Sequence, residues 1–478
     1  MPPIRIISCI RQTRLDTAGR QAGGDANSPA VIPVKEVMKV KTTAHEVCQF
    51  IKENDVKFIR LGFCDLFGTQ KNISIMADAL PEAFEHGVSF DASAIRGFRS
   101  VAQSDLLLFP DPSTLSILPW RPGPGRVVRF YCDIRNPDGS PYEADSRSLL
   151  QHVAERCEAM GYVCKIGAEC EFYLFKTDDN GDPSVNPLDQ GGYFDISPLD
   201  QGENIRREIC LCLEEMGLSP ESSHHERGPG QNEIDFKYRD ALTSADHLLT
   251  FKSVVKAIAA RNGLFASFMP RPLPRAAGSG LHVNLSLAQN GRNIFTPAAE
   301  GHSAAAEHFI AGVLAHAPEM TLFLNPLSNS YERLGRFEAP RYVSWSHQNR
   351  SQLVRIPAAT GERTRMELRS PDPSVNPYLA FALIIAAGLA GIEQQMKLPP
   401  AVDEDLFTAD ADITRSLTAL PETLCEAVTM AQHSRLAASV LGETLLARYI
   451  RLKKDECEAW RQAADQAAFE RSRYFTVT

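Results

Sequence analysis

The sequence predicts an α+β protein, a small mixed domain followed by a larger one. Three observations predict it. Strand and hairpin signals crowd residues 56–134. Four later segments alternate apolar and polar residues, the mark of half-buried strands. Helical periodicity dominates after residue 373. A chain of 478 residues is long enough for two or three domains with sizeable cores.

The elements follow in order. Residues 1–40 read as a disordered N-terminal extension. Its first 37 residues carry Arg5, Arg11, Arg14 and Arg20, few acids and no apolar core. A transit peptide shares that flavour, and an over-long start with Met38 as the functional beginning fits as well. AHEVCQFIKEND (44–55) then predicts a helix. VKFIRLGFCDLFGTQKNISI (56–75) predicts two strands turning at Phe67-Gly68. LLLF (106–109) and VVRFYCDI (127–134) are further strands and complete a domain over 41–138. NPDGSPYEAD (136–145) is a linker by composition. Asp145 is placed to cap a helix that opens the second domain, 145–478.

Bulk properties narrow the function. Hydrophobic content of 44% and charged content of 23% suit a soluble globular protein. A net charge of −9 without a basic tract argues against nucleic acid as a partner. The longest apolar run, Leu379 to Ile392, is too short and too rich in Ala and Gly to span a membrane. Eleven cysteines without zinc-type spacing predict free thiols in a reducing cytoplasm.

The chemistry sits on the four alternating segments. GAECEFYLF (167–175) puts Glu169 and Glu171 on one face, and QNEIDFKY (231–238) does the same with Glu233 and Asp235. LHVNLSL (281–287) aligns His282, Asn284 and Ser286, and RMELRSP (365–371) aligns Arg365, Glu367 and Arg369. The tight Gly228-Pro229-Gly230 loop brings Glu226 back toward Glu233. If these strands share one sheet, its polar face is a pocket of carboxylates and one imidazole. Such a pocket needs cations, and oxygen-rich ligands suit Mg²⁺ or Mn²⁺ better than zinc. Arg333, Arg350, Arg355 and Arg369 fall among small polar neighbours, as anion-binding arginines do. No phosphate loop GxxxxGK[ST], GxGxxG after a strand or GxSxG elbow occurs. The residues therefore point to metal-dependent phosphoryl transfer.

These segments also carry a resemblance. FCDLFG (63–68), FDASAIRGF (90–98), SDLLLFPDPST (104–114), GGYFDISPLD (191–200), HHERGPGQNEIDF (224–236), GSGLHVNLSL (278–287), NPLSNSYERL (325–334), FEAP (337–340), NRSQLVRIP (349–357) and RMELRSPDPSVNPYLAFA (365–382) stand in one order with GAECEFYLF. The chain resembles the bacterial type I glutamine synthetase family from about residue 40 to its end. The resemblance implies an N-terminal β-grasp domain and a catalytic domain with a curved antiparallel sheet and helices. It implies a cytoplasmic homo-oligomer, a dodecamer of two stacked rings, with active sites shared between neighbouring subunits. Glutamate, ATP and ammonia would be the substrates, with two or more Mg²⁺ (or Mn²⁺) per site.

By the same resemblance, Glu171, Glu226 and Glu233 would hold one metal. Glu169, His282 and Glu367 would hold the other. Arg333 and the Gly278 backbone would grip glutamate, Arg350 and Arg369 would face the phosphoryl group, and Arg355 the nucleotide. Asp65 from the neighbouring subunit and Tyr193 would shape the ammonium pocket, and Glu338 would be the flap residue that takes a proton. The chain departs from the family where Ala277 replaces an Asn, Asn284 a His and Glu362 a Lys. The loop 395–412 has no Tyr where adenylylated members carry one. Two further readings follow: a γ-glutamyl ligase using a polyamine or other amine, and a non-catalytic scaffold.

Overall fold

A computed structural model describes residues 43–120, 125–296 and 302–478. The expected N-terminal extension lies outside the described residues. The chain from Thr42 onward forms one compact unit.

Its first part is a six-stranded sheet of β1 (Val56–Cys64), β2 (Gln70–Met76), β3 (Val88–Asp91), β4 (Asp105–Pro110), β5 (Ser116–Ile117) and β6 (Arg126–Arg135). The order is β2-β1-β6-β4-β3, with β5 on β6. β1 and β6 run parallel and the other pairs antiparallel. Ile59, Leu61 and Phe63 alternate along β1 and are buried, which fixes the register. Helix Ala44–Glu53 opens on a Thr43–Glu46 capping box. This is the β-grasp domain that the resemblance implies.

The polar segment 136–145 does not behave as a free tether. Tyr142 and Ala144 are buried, and the Asp145 carboxylate accepts from the Ile134 amide at 3.0 Å while it caps helix Ser146–Ala159. Arg147, two residues on, bridges Asp111, Asp133 and Asp246 at 2.6–3.1 Å. One buried guanidinium thus ties the small sheet to helices of the larger part.

The larger part is built on an eleven-stranded sheet. It comprises β7 (Val163–Thr177), β8 (Pro183–Pro187), β9 (Pro220–His225), β10 (Gln231–Phe236), β11 (Arg239–Asp240), β12 (Leu264–Ser267), β13 (Leu281–Gln289), β14 (Arg292–Asn293), β15 (Trp345–His347), β16 (Val354–Ile356) and β17 (Met366–Leu368). The spine order is β15-β16-β17-β13-β7-β10-β9. The 15 residues of β7 are long enough to pair also with β8, β11 and β12. Behind the sheet, helix Pro377–Glu393 is the buried apolar run that the composition predicts. It packs on helix Ala304–Leu324 so closely that a Cβ on Gly312 would lie 2.2 Å from the Ala387 carbonyl oxygen. Among the described residues no helix is long and apolar enough to cross a membrane.

Two expectations need correction. Cys425 and Cys457 form a disulfide rather than free thiols. Facing helices bring their Cα atoms to 5.7 Å, a proximity that a separation of 32 residues does not announce. The last alternating segment is also shorter than its pattern suggests, only Met366–Leu368, because the Arg369 amide turns to the Leu353 carbonyl instead of β13.

Candidate active site

Strand register brings the four polar faces together. Glu169 on β7 sits opposite His282 on β13 and Asp235 on β10. Glu171 sits opposite Glu233, and Glu367 on β17 lies between Asn284 and Arg355. Residues directly opposed on antiparallel strands share a face. One charged patch therefore crosses five strands, while Cys170, Phe172, Ile234, Val283 and Leu368 pack on the other side. The patch floors a cavity of about 520 Å³.

The floor has two halves. In the first, ligating atoms of Glu169, His282 and Glu367 all lie within 4.8 Å of one another. His282 Nδ1 is 3.3 Å from Glu169 and 3.8 Å from Glu367. Burial, and then Arg369, hold the imidazole below its usual range, so it stays neutral with a lone pair to give. Burial alone would raise Glu169, but hydrogen bonds from His282 and Asn284 bring it down to about 2. Burial likewise opposes charge on Glu367, and the guanidinium groups of Arg369 and Arg355 overcome it. Both Glu367 oxygens are engaged, one by Arg355 and one by Arg369.

The second half is overcrowded with negative charge. Burial and the nearby Glu226 raise Glu171 to about 8, although the Gly280 amide and Gln231 Nε2 donate to it at 2.9 and 2.7 Å. Burial, then Glu171 and Asp235, push Glu233 well up. Glu226 hangs from the 226–231 turn, with His224 Nδ1 3.5 Å from its carboxylate. Glu171, Glu226 and Glu233 line one cavity wall, but the tightest group on this side is His224, Glu233 and Asp235. Among the described residues, Asp235 Oδ1 is buried without a hydrogen-bond partner. Carboxylates that cannot all ionise, one with an orphaned oxygen, are the donor set that divalent cations complete. The residues present therefore fit a pair of hard divalent metals.

Arginines line the same cavity. Arg333 is buried and donates to the Ser370 and Arg369 carbonyls at 2.8 and 3.1 Å. It passes so near Gly278 that a Cβ there would meet its Cγ at 2.9 Å. Arg369 donates to the Arg350 and Glu338 carbonyls at 3.1 and 3.3 Å. Arg350 lines the cavity with its side chain exposed.

The mouth is made of loops. Tyr193 stacks on Phe194 at 4.0 Å, and Phe194 meets His224 edge-on at 4.7 Å. Glu338 pairs with Arg227 across the opening. Phe194 and Phe337 have φ of 62° and 54°, strained for bulky residues and both at this rim. Asp65 does not border the cavity of its own chain. It follows β1 and accepts from the Phe67 and Thr69 amides, each at 2.9 Å. Burial raises its carboxyl.

His224, Gln231 and Arg227 also line the cavity, beyond the residues that the sequence predicts. Gln231 was within reach: it shares the period-two face of Glu233 and Asp235. Arg227 gave no local signal, because its partner lies 111 residues away.

Comparison with known proteins places this architecture. The chain matches the family described as "Glutamine synthetase, beta-Grasp domain" over residues 55–137 and "Glutamine synthetase, catalytic domain" over 143–472. It is 46% identical to the glutamine synthetase of Clostridium saccharobutylicum over 426 residues, 88% of this chain and 96% of the relative. Identity to the glutamine synthetase of Methanosarcina mazei is 45%, over 92% of this chain and 99% of the relative. A solved structure described as "GmaS/ADP complex-Conformation 1" superposes with a TM-score of 0.81 at 32% identity, covering 89% of this chain and 98% of that one. On the strength of two matched domains and near-complete relatives, the chain belongs to the glutamine synthetase family.

Proposed function

We propose that this protein is a glutamate–ammonia ligase that makes glutamine from glutamate, ATP and ammonia through γ-glutamyl phosphate. The observation that carries the reading is the register of β10, β7, β13 and β17, which gathers five metal-type ligands in one cavity, where the 226–231 turn adds Glu226 and four arginines join them.

A carboxylate is a poor acyl donor because its leaving group would be oxide, and phosphorylation by ATP supplies a better one. Bound Mg²⁺ or Mn²⁺ would neutralise charge on the transferring phosphoryl oxygens. Glu169, His282 and Glu367 would hold the ion nearer the nucleotide, and Glu171, Glu226 and Glu233 the other. Arg333, set close against Gly278, is placed for the substrate α-carboxylate. Arg369 and Arg350 face the same space and favour charge that grows on the phosphoryl group. Arg355 is assigned to the nucleotide. Glu338 closes the mouth and takes the proton that ammonium must lose, and Tyr193 walls the nucleophile pocket. Closure also keeps water from the acyl phosphate.

Asp65 completes the ammonium pocket of a neighbouring copy. Its absence from its own chain's cavity supports an assembly with shared sites, for which a dodecamer in the cytoplasm is the expectation.

A second reading, γ-glutamyl ligation to a larger amine, has one observation in its favour. Beside the mouth, Tyr193, Phe337, Leu273 and Pro274 border an open, largely apolar recess that could take a hydrocarbon chain. Glutamate-dependent ADP release, measured with ammonia and with a panel of amines, decides between them. Turnover highest with ammonia supports the first reading. Turnover highest with a bulky amine supports the second.

A further inference from the structure

A second cavity, of about 290 Å³, lies away from the acidic cleft. One wall is the hairpin loop Phe67–Gln70 and another is helix Ala241–Arg261, which presents Lys252 and Lys256. Among the described residues, five cationic side chains border this space, Arg96, Lys252, Lys256, Lys453 and Arg473, against one acidic side chain, Glu456, and the terminal carboxylate of Thr478. Glu456 is already engaged by Arg96 at 2.9 Å, Lys453 at 3.3 Å and Arg473 at 3.8 Å. Lys252 and Lys256 have no carboxylate within 4.0 Å among the described residues. Both stand over the Phe268 ring, at 5.5 and 5.9 Å, and Lys256 reaches the Val477 carbonyl at 3.4 Å.

Two ammonium groups one helical turn apart repel each other, and poor hydration makes this worse. Burial lowers both lysines, Lys256 to about 8 with Lys252 adding to the effect. An anion in the cavity would relieve the imbalance, and its volume suits a small metabolite.

We propose that this cavity binds a small metabolite anion, a carboxylate or a phosphate, held between Lys252 and Lys256, and that occupancy tunes the hairpin loop carrying Asp65. The loop is the link. The amides of Phe67 and Thr69 bond the Asp65 carboxylate, and Asn376 Nδ2 holds the Asp65 and Leu66 carbonyls at 3.3 Å. A ligand packed on Phe67 and Thr69 therefore bears on the position of Asp65. The binding claim is independent of the reaction, whereas the coupling to ammonium rests on the ligase reading.

Calorimetric titration of the full-length protein with inorganic phosphate, and separately with malonate, tests binding and tells phosphate from carboxylate. The acidic cleft is controlled for by two variants, Lys256→Gln and Glu367→Gln. The proposal expects at least one probe to bind, with affinity reduced about tenfold or more by Lys256→Gln and retained in Glu367→Gln. Affinity unchanged by Lys256→Gln, or lost only in Glu367→Gln, overturns it. Wild-type crystals soaked in selenate give a check that needs no variant. An anomalous peak between Lys252 and Lys256 supports the site, and an empty cavity, or one filled by a carboxylate of a second copy, overturns it. For the coupling, saturating anion should change the KM for ammonium at least threefold in the wild type and not in Lys256→Gln. An equal KM with and without the anion overturns the coupling alone.

Discussion

The acidic floor and the mouth of this site are built on opposite plans. Every floor residue except Glu226 sits on a strand or beside its end, in a register locked by buried apolar neighbours. The mouth is carried by loops. Tyr193 and Phe337 are each 46% exposed, and Asp65 lies outside its own chain's cavity. A rigid floor can hold phosphoryl-transfer groups in fixed geometry. A loop-built mouth can open for substrates, close on an intermediate and accept a residue from another copy.

The contrast can be broken at either end, and the floor should be the more sensitive. Glu367→Gln keeps the side-chain shape and an acceptor for one of the two arginines, Arg355 or Arg369, and removes a charge from the metal-side trio. We expect turnover to fall about a thousandfold or more, with the melting temperature changed little. Alanine would be the poorer test, since it leaves a buried Arg369 without its carboxylate partner. Near-normal turnover of Glu367→Gln at saturating Mg²⁺ would show that the floor does not hold the reacting phosphate.

At the mouth, Asp65→Asn retains the oxygen that caps the 65–69 loop and loses only the charge. The KM for ammonium should rise about tenfold to a hundredfold, while glutamate-dependent acyl-phosphate formation changes little. Arg227→Ala, which frees Glu338, should cost less, about fivefold to tenfold in kcat/KM, with more uncoupled ATP hydrolysis. Equal losses in both half-reactions would show that the mouth and floor do not divide the work.

The floor also predicts a pH effect. Glu171 is raised to about 8 in the folded chain, and Glu233 is raised too. The folded protein therefore binds more protons than the unfolded one. In metal-free protein this contribution is present below the ordinary glutamate range and is lost as pH climbs through about 8. Thermal melts across that window should fall with pH by an equivalent of a few kcal/mol, and Mg²⁺ should flatten the slope. A metal-free stability that rises over this range would contradict the crowded-carboxylate account. The smallest effect is expected from deleting residues 1–37, which carry no periodic apolar pattern: activity and oligomer size should stay the same by turnover and size-exclusion chromatography.

The sequence showed the floor better than the mouth for a physical reason. Period-two alternation is local, so Glu169 with Glu171 and His282 with Asn284 could be read as shared faces. Which strands are neighbours is not local, and only the fold sets Glu169 opposite His282. The pairing of Glu367 with two arginines and of Arg227 with Glu338 depends on such closures. Asp65 shows the limit most clearly. Its place after β1 makes it a turn-capping residue in its own chain, and the ammonium role we propose for it needs another copy. The Cys425–Cys457 pair, formed between helices, left no mark in the spacing of the cysteines.

Subunit mixing tests the divided site most directly. Asp65→Asn and Glu367→Gln subunits, each nearly inactive alone at low ammonium, are unfolded together, refolded in equal amounts and verified as mixed by mass. If each site takes its floor from one chain and its Asp65 from the next, about one quarter of the interfaces pair two intact halves. The account predicts recovery to about that fraction of wild-type turnover. Verified mixed assemblies with no more activity than the average of the two parents would contradict it.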